Sequence, residues 1–204
     1  MFNSMEPQLN PVMLTDLRPT QMTVGLLEVE RKRHGWRARV ASDGPEFLGT
    51  HMIPVVIGPK QVPWMIDNHH LARALYDEGV KHVLVSVVTR LDRLDRKAFL
   101  TFMDNRNWLH PFDAKGVRQH YADIPRKLSK MTDDPYRSIA GVVRRAGGYA
   151  KDLTPYSEFL WADFFRHRID AKLIGRDMDK AVAKALALSH DQKASHLPGW
   201  CGVS

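Results

Sequence analysis

The sequence predicts an α+β protein: a small mixed-sheet core followed by a mainly helical C-terminal extension. Three observations predict it. "KHVLVSVVT" (Lys81–Thr89) is almost wholly apolar and β-branched, the composition of a strand buried on both faces. "HMIPVVIG" and "QVPWMID" are two further β-rich runs joined by a short Pro-Lys turn, the pattern of a hairpin. Beyond Asp95, apolar residues recur at helical spacing, and segments open on Asp or Thr followed by Pro. The change of character near residue 92 divides the chain into an expected core over 13–92 and a helical region over 93–204, packed as one domain or as two.

The elements can be justified in order. "MLTDLRPTQ" reads as an extended piece ending at Pro19, with Thr20 as a cap for the helix of "MTVGLLEVERKRHGWRARV". "ASDGPEFLG" is a loop by its Gly, Pro and Asp content. In the next strand, Pro54 predicts a short or edge position, because proline has no N–H for a ladder. "HHLARALYDEG" is a helix with Leu71, Ala74 and Leu75 on one side and Gly79 as its stop. Asp95 caps an amphipathic helix to Trp108. Asp134-Pro135 and Thr154-Pro155 open two more, and "RDMDKAVAKALALSH" is the last.

Composition narrows the functional classes. With 204 residues, 44% apolar and 26% charged, the chain is an ordinary folded protein rather than a disordered or collagen-like one. A net charge of +7 favours an anionic partner: nucleic acid, nucleotide or lipid headgroup. The basic runs "ERKRHGWRAR" and "VRRAGGYAK" have a plainer reading as solvated helix faces. Cys201 is the single cysteine, so neither an intrachain disulfide nor a thiolate zinc cluster can form within the chain. No leader pattern and no bilayer-length apolar run is visible, so a cytoplasmic protein without a membrane partner is expected.

The stretch richest in chemistry is "WMIDNHHLARAL" (Trp64–Leu75), where a strand hands over to a helix. The first amides of a helix have no internal partner, and the helix dipole adds positive potential there. Such a turn suits a phosphate. Asp67 or Asn68 lies at the cap, His69 and His70 in the first turn, and Arg73 one turn on. The competing readings are a plain Asp/Asn cap and a metal site. Adjacent helical residues point about 100° apart, so two neighbouring histidines rarely share one ion. His51 or Asp67 would have to complete a ligand set, and no metal is expected.

"PVVIG…WMIDNHHLARALYDEGVKHVLVSVV" resembles the ParB/sulfiredoxin superfamily, whose core follows a strand with a Gly-His-His-Arg type turn and a helix. "LRPTQMTVG" is similar to its first motif, and "DDPYRSIAGVVRRAGGYAKDLTPYSEFLWADFFRHRI" extends the likeness to the branch called putative ParB-like nucleases, so that it covers roughly residues 13–170. The resemblance implies nucleotide or phosphate binding at the turn by Asn68, His69, His70, Arg73, Arg18 and Gln21. Asp67 or Glu28 would then orient a nucleophile or coordinate Mg²⁺. It implies CTP, ATP or ADP as the nucleotide and phosphoryl transfer or hydrolysis as the chemistry. Asn68 stands where Gly is usual and Leu71 where Arg usually follows. Gln21 lies near the position of a catalytic glutamate in a kinase branch, and Gln cannot act as a base. Sulfinic acid reduction is excluded, because the turn has no cysteine.

Two other readings stand beside this one. A nucleotide-switched DNA-binding module would use Arg137, Arg144, Arg145 and Lys151 on the helices that follow Pro135 and Pro155. The apolar residues Phe159, Leu160, Trp161, Phe164 and Phe165 better suit a core or a homodimer surface. A metal-dependent nuclease would need several carboxylates in one place, and His51, Asp67, His69 and His70 form no such cluster in sequence. His110, Asp113 and Arg118 in "HPFDAKGVRQHY" have the composition of a site with no assigned role.

Overall fold

The structure, a computed structural model, describes residues 6–43 and 52–202. Strand β1 (Glu6–Met13) leads through a short 3-10 turn to β2 (Thr23–Val24) and helix α1 (Leu26–Asp43). Then come β3 (Ile53–Gly58), β4 (Val62–Met65), α2 (His69–Asp77), β5 (His82–Arg90) and α3 (Arg96–Asn105). The remainder comprises β6 (Thr132–Asp133), α4 (Pro135–Arg145), α5 (Ser157–Arg166), α6 (Ala171–Arg176) and α7 (Met178–Ser189). The architecture is the expected α+β arrangement, a four-stranded mixed sheet with a helical C-terminal part.

The sheet order is β1-β5-β3-β4, with β1 antiparallel to β5, β5 parallel to β3, and β3 antiparallel to β4. The β3–β4 hairpin is therefore as expected, but β3 is central rather than at an edge. Pro54 is accommodated because it lies at the start of the strand, beyond the first β3–β4 pair, Val55 with Met65. Strand β5 buries one face only: Val83, Val85 and Val87 are buried and the residues between them half-buried. Strand β1 has no counterpart in the sequence reading, since Pro7 and Pro11 argue against a strand. It is an edge, where a missing N–H costs least.

Three apolar clusters fill the molecule. One packs α1 and α2 on the sheet face carrying Val55, Ile57, Met65, Val83 and Val85. Another covers the opposite face, where Val56 and Trp64 meet Phe99, Leu100 and Met103 of α3. The third joins α4 to α7 around Ile139, Trp161 and Phe165, so the aromatic run of α5 is core.

The segment 17–25 stitches these parts together. Arg18 pairs beside Trp64 of β4, His110 donates its amide to the Thr20 carbonyl (2.8 Å), and β2 runs parallel to β6. Thr20 is consequently no helix cap, and α1 begins at Leu26. Gly25 is required by packing: a Cβ there would lie 2.7 Å from the amide nitrogen of Ser138 on α4. Asp95 and Asp134 cap α3 and α4 as expected, accepting from Ala98 N and Tyr136 N. Thr154 does not cap α5, which starts after the left-handed Tyr156 (φ 60°). Most of the predicted loop 41–49 lies outside the described residues, as does His51, while Ala41 to Asp43 belong to α1. Among the described residues no helix is long and apolar enough to cross a membrane.

Candidate functional site

Helix α2 follows a left-handed residue and starts without a side-chain cap. Asn68 adopts the left-handed conformation (φ 63°, ψ 25°), which explains why glycine is usual at its place and why Asn is the tolerated substitute. Its amide donates to Asp67 Oδ1 (2.6 Å), and its carbonyl accepts from Ala72. The amides of His69 and His70 meet no acceptor among the described residues, and no side chain caps the helix.

Both imidazoles are latches rather than free donors. The Thr20 amide donates to His69 Nε2 (3.1 Å), and the Gly25 amide donates to His70 Nε2 (3.0 Å). Each ring must therefore be neutral with its proton on Nδ1. Burial, with the charges of Arg137 and His110 behind it, depresses His69 from 6.5 to about 3. Burial, with Arg137 and His69, drives His70 well below its ordinary value. The Nδ1 of His69 is buried without a partner, so this tautomer leaves one N–H unused.

Beside this helix start lies a cavity of about 190 Å³, lined by Asn68, His69 and His70 and by residues from distant parts of the chain. Arg137 of α4 is the most telling of them. It is 4% exposed, its guanidinium stacks 3.5 Å from the centre of the Phe159 ring, and its nearest carboxylate is Glu158 at 3.9 Å. Its Nε and Nη1 have no hydrogen-bond partner among the described residues. Arg144 lies 3.1 Å from the same Glu158. Lys32 and Arg31 of α1 complete the cationic lining, and burial lowers the Lys32 ammonium. A second chamber of about 500 Å³ shares Gln21, Asp67, Arg137, Arg144 and Glu158 with the first. It adds an apolar wall from Trp108, Tyr156 and Phe159.

The predicted site residues divide between those the fold gathers here and those it does not. Gln21, Glu28, Asp67, Asn68, His69 and His70 line the cavity. Gln21 presents a buried Oε1 with no partner. Glu28 is held by arginines: Arg31 reaches both of its oxygens, and Arg145 Nη1 pairs with Oε2. Burial pushes the Glu28 carboxyl up, but the bonds and charges of Arg31 and Arg145 outweigh it and hold the group below its usual range. Asp67 carries no ion pair among the described residues and borders both chambers.

Arg73 and Arg18 are elsewhere. Arg73 pairs with Asp77 and donates to the Leu128 and Met131 carbonyls, while Arg18 donates to the Arg126 carbonyl in a different groove. Asp113 caps its own turn through the Lys115 and Val117 amides, and Arg118 pairs with Asp104. The His110 ring lies 3.7 Å from that of Phe159, tilted by 42°, and burial with Arg137 lowers it to about 3. Among the described residues no three His, Cys, Asp or Glu side chains gather to hold a metal.

Family comparison fits this geometry. Residues 10–167 match the family described as Putative ParB-like nuclease. The chain belongs to that family. Among solved structures, it is similar to the crystal structure of protein Atu1540 from Agrobacterium tumefaciens, with 49% identity, a TM-score of 0.91, and 98% of this chain and 99% of that one covered. No curated protein matches. As a ParB-like protein, the chain keeps the strand–turn–helix site but has Leu71, a buried core residue, where the superfamily turn usually continues with arginine.

Arg137, Arg144 and Glu158 were absent from the site predicted by sequence. A signal for them exists. Arg137, Ala140, Gly141 and Arg144 fall at i, i+3, i+4 and i+7, one helix face on which small residues leave room beside two guanidiniums. An arginine on the inward face of an amphipathic helix is costly unless it meets an anion.

Proposed function

We propose that this ParB-like protein binds a nucleotide with its terminal phosphate at the start of α2 and catalyses phosphoryl transfer or nucleotide hydrolysis. One observation carries the reading: unpartnered amides at a helix start and a buried, under-paired arginine line the same cavity. Burying a guanidinium without close acceptors costs several kcal/mol, and an incoming phosphate would remove that cost through charge-assisted bonds. Arg137 thereby supplies, from α4, the guanidinium that Leu71 cannot.

The larger chamber beyond it has the size and apolar lining for a nucleoside. Glu28 keeps Arg31 and Arg145 in place and does not act as a base, since its oxygens are occupied by arginines. Asp67 is the carboxylate available to orient a nucleophile. Mg²⁺ characteristically joins one or two carboxylates to substrate phosphates, and Asp67 would be the carboxylate to share it. Phosphoryl transfer asks little else of a protein than position and charge.

Thermal shift with CTP, ATP, ADP and inorganic phosphate, each with and without Mg²⁺, tests the reading. A nucleotide should raise the melting temperature of the wild type. Arg137→Gln and, separately, the less buried Arg144→Gln should lose most of the shift, with weakening of tenfold or more. Full retention of the shift in both variants, or no shift with any ligand, overturns the assignment.

A further inference from the structure

We infer that a second groove, on the strand β4 side of the sheet, binds single-stranded nucleic acid. Two neighbouring cavities of about 290 and 350 Å³ share Arg18, Val62 and Arg126, and so form one elongated depression. It has no lining residue in common with the nucleotide cleft. Five cations line it: Arg18, Lys60, Arg96, Arg126 and Lys127. Asp16 is the single carboxylate among its lining residues, and none of the five cations makes an ion pair among the described residues. The nucleotide cleft is different, because there Glu28 and Glu158 already hold most of the arginines.

Five cations spread over two adjoining cavities suit a chain of charges rather than a single ion. Arg18 is fixed by donating to the Arg126 carbonyl at 2.6 Å, which places two guanidinium-bearing residues at the junction of the two chambers. Lys60 lines the cavity of about 290 Å³, in a turn where it and Gln61 are both left-handed (φ 63° and 60°). Non-glycine residues in that region cost on the order of 1 kcal/mol each, so the turn holds Lys60 there against a local preference. Lys127 lines the cavity of about 350 Å³.

The larger chemistry of the pocket agrees. Tyr121, oriented by its hydroxyl donating to Asp104 (2.7 Å), and Trp64 line the cavity beside these charges. A basic track with aromatic walls is the recurrent arrangement for unpaired strands, whose bases can turn into a recess. A duplex presents stiff convex phosphate ridges and cannot enter cavities of this kind, so the single strand is the fitting ligand.

Fluorescence anisotropy with labelled dT12, rU12 and a 12-base-pair duplex, over a range of NaCl concentrations, tests the inference on the full chain. The wild type should bind the single strands more tightly than the duplex. The triple variant Lys60→Gln, Arg126→Gln, Lys127→Gln changes exposed side chains only, and its melting temperature reports that it folds. It should bind at least tenfold more weakly at low salt. The slope of log K on log salt should shrink by about two, since each single-strand phosphate contact contributes about 0.7. Arg137→Gln should leave this binding unchanged, which separates the groove from the nucleotide cleft. No binding by the wild type, equal binding by the triple variant, or tighter binding of the duplex overturns the proposal.

Discussion

At the scale of single residues, the site is governed by what lies unused beside what is committed. His69 and His70 look like phosphate donors in sequence, yet each ring accepts from a backbone amide of the 20–25 segment and so aligns that segment with α2. The identity of the turn was legible because Asp, Asn and two histidines stand between a strand and a helix. The role of the rings was not, because the amides they hold come from residues more than forty positions away. The same burial sets a pH dependence. His69 and His110 fall from 6.5 to about 3, and His70 well below its usual value, so the unfolded chain binds more protons between pH 3 and 6.5. Stability is therefore complete above 6.5 and declines as pH falls through that window, by on the order of 1 kcal/mol per pH unit for each histidine. Urea midpoints at pH 7.5 and 5.0 should show the fall. His110→Phe keeps a ring against Phe112 and Phe159 and should make it shallower.

At the scale of elements, legibility followed locality. The helices capped by Asp95 and Asp134 and the β3–β4 hairpin were readable because a cap or a turn is decided within a few residues. β1, the central place of β3 and the late start of α1 were not, since each depends on partners distant in sequence. α4 shows how a local signal can hide a remote function. Asp134 caps it through Tyr136 N, and also pairs at 2.5 Å with Arg166 of α5, while Arg137 one turn on faces α2's cavity. Burial raises the Asp134 carboxyl, and Arg166 and Arg137 pull the other way. Asp134→Ala removes a cap and one of the two carboxylates, Asp134 and Asp163, that pair with the buried Arg166, so it should cost about 2 kcal/mol in chemical denaturation. Asp134→Asn keeps the cap and should cost measurably less. Equal losses would show that the cap contributes nothing and that the whole cost lies in the lost charge.

At the scale of the whole molecule, the candidate nucleotide site is composite. The free amides belong to α2, in the sheet-bearing part, whereas Arg137, Arg144 and Glu158 come from α4 and α5, in the helical part. Helix α1 bridges the two through Glu28, which takes Arg145 from the helical side and Arg31 from its own. This is why the sequence could show the turn yet not the pocket: Gln21, Glu28, Arg31 and Lys32 of its lining precede the turn, and Arg137, Arg144 and Glu158 come from the distant helical part. A ligand that fills the pocket must therefore tie both parts. Bound at a hundredfold excess over its Kd, it adds about 2.7 kcal/mol to the folded state. Hydrogen exchange should then slow both in α2, over 69–75, and in α4, over 137–145, when the stabilising nucleotide is added. Protection confined to α2 would mean that the phosphate is held by the helix start alone, and Arg137 would then need another explanation for its burial.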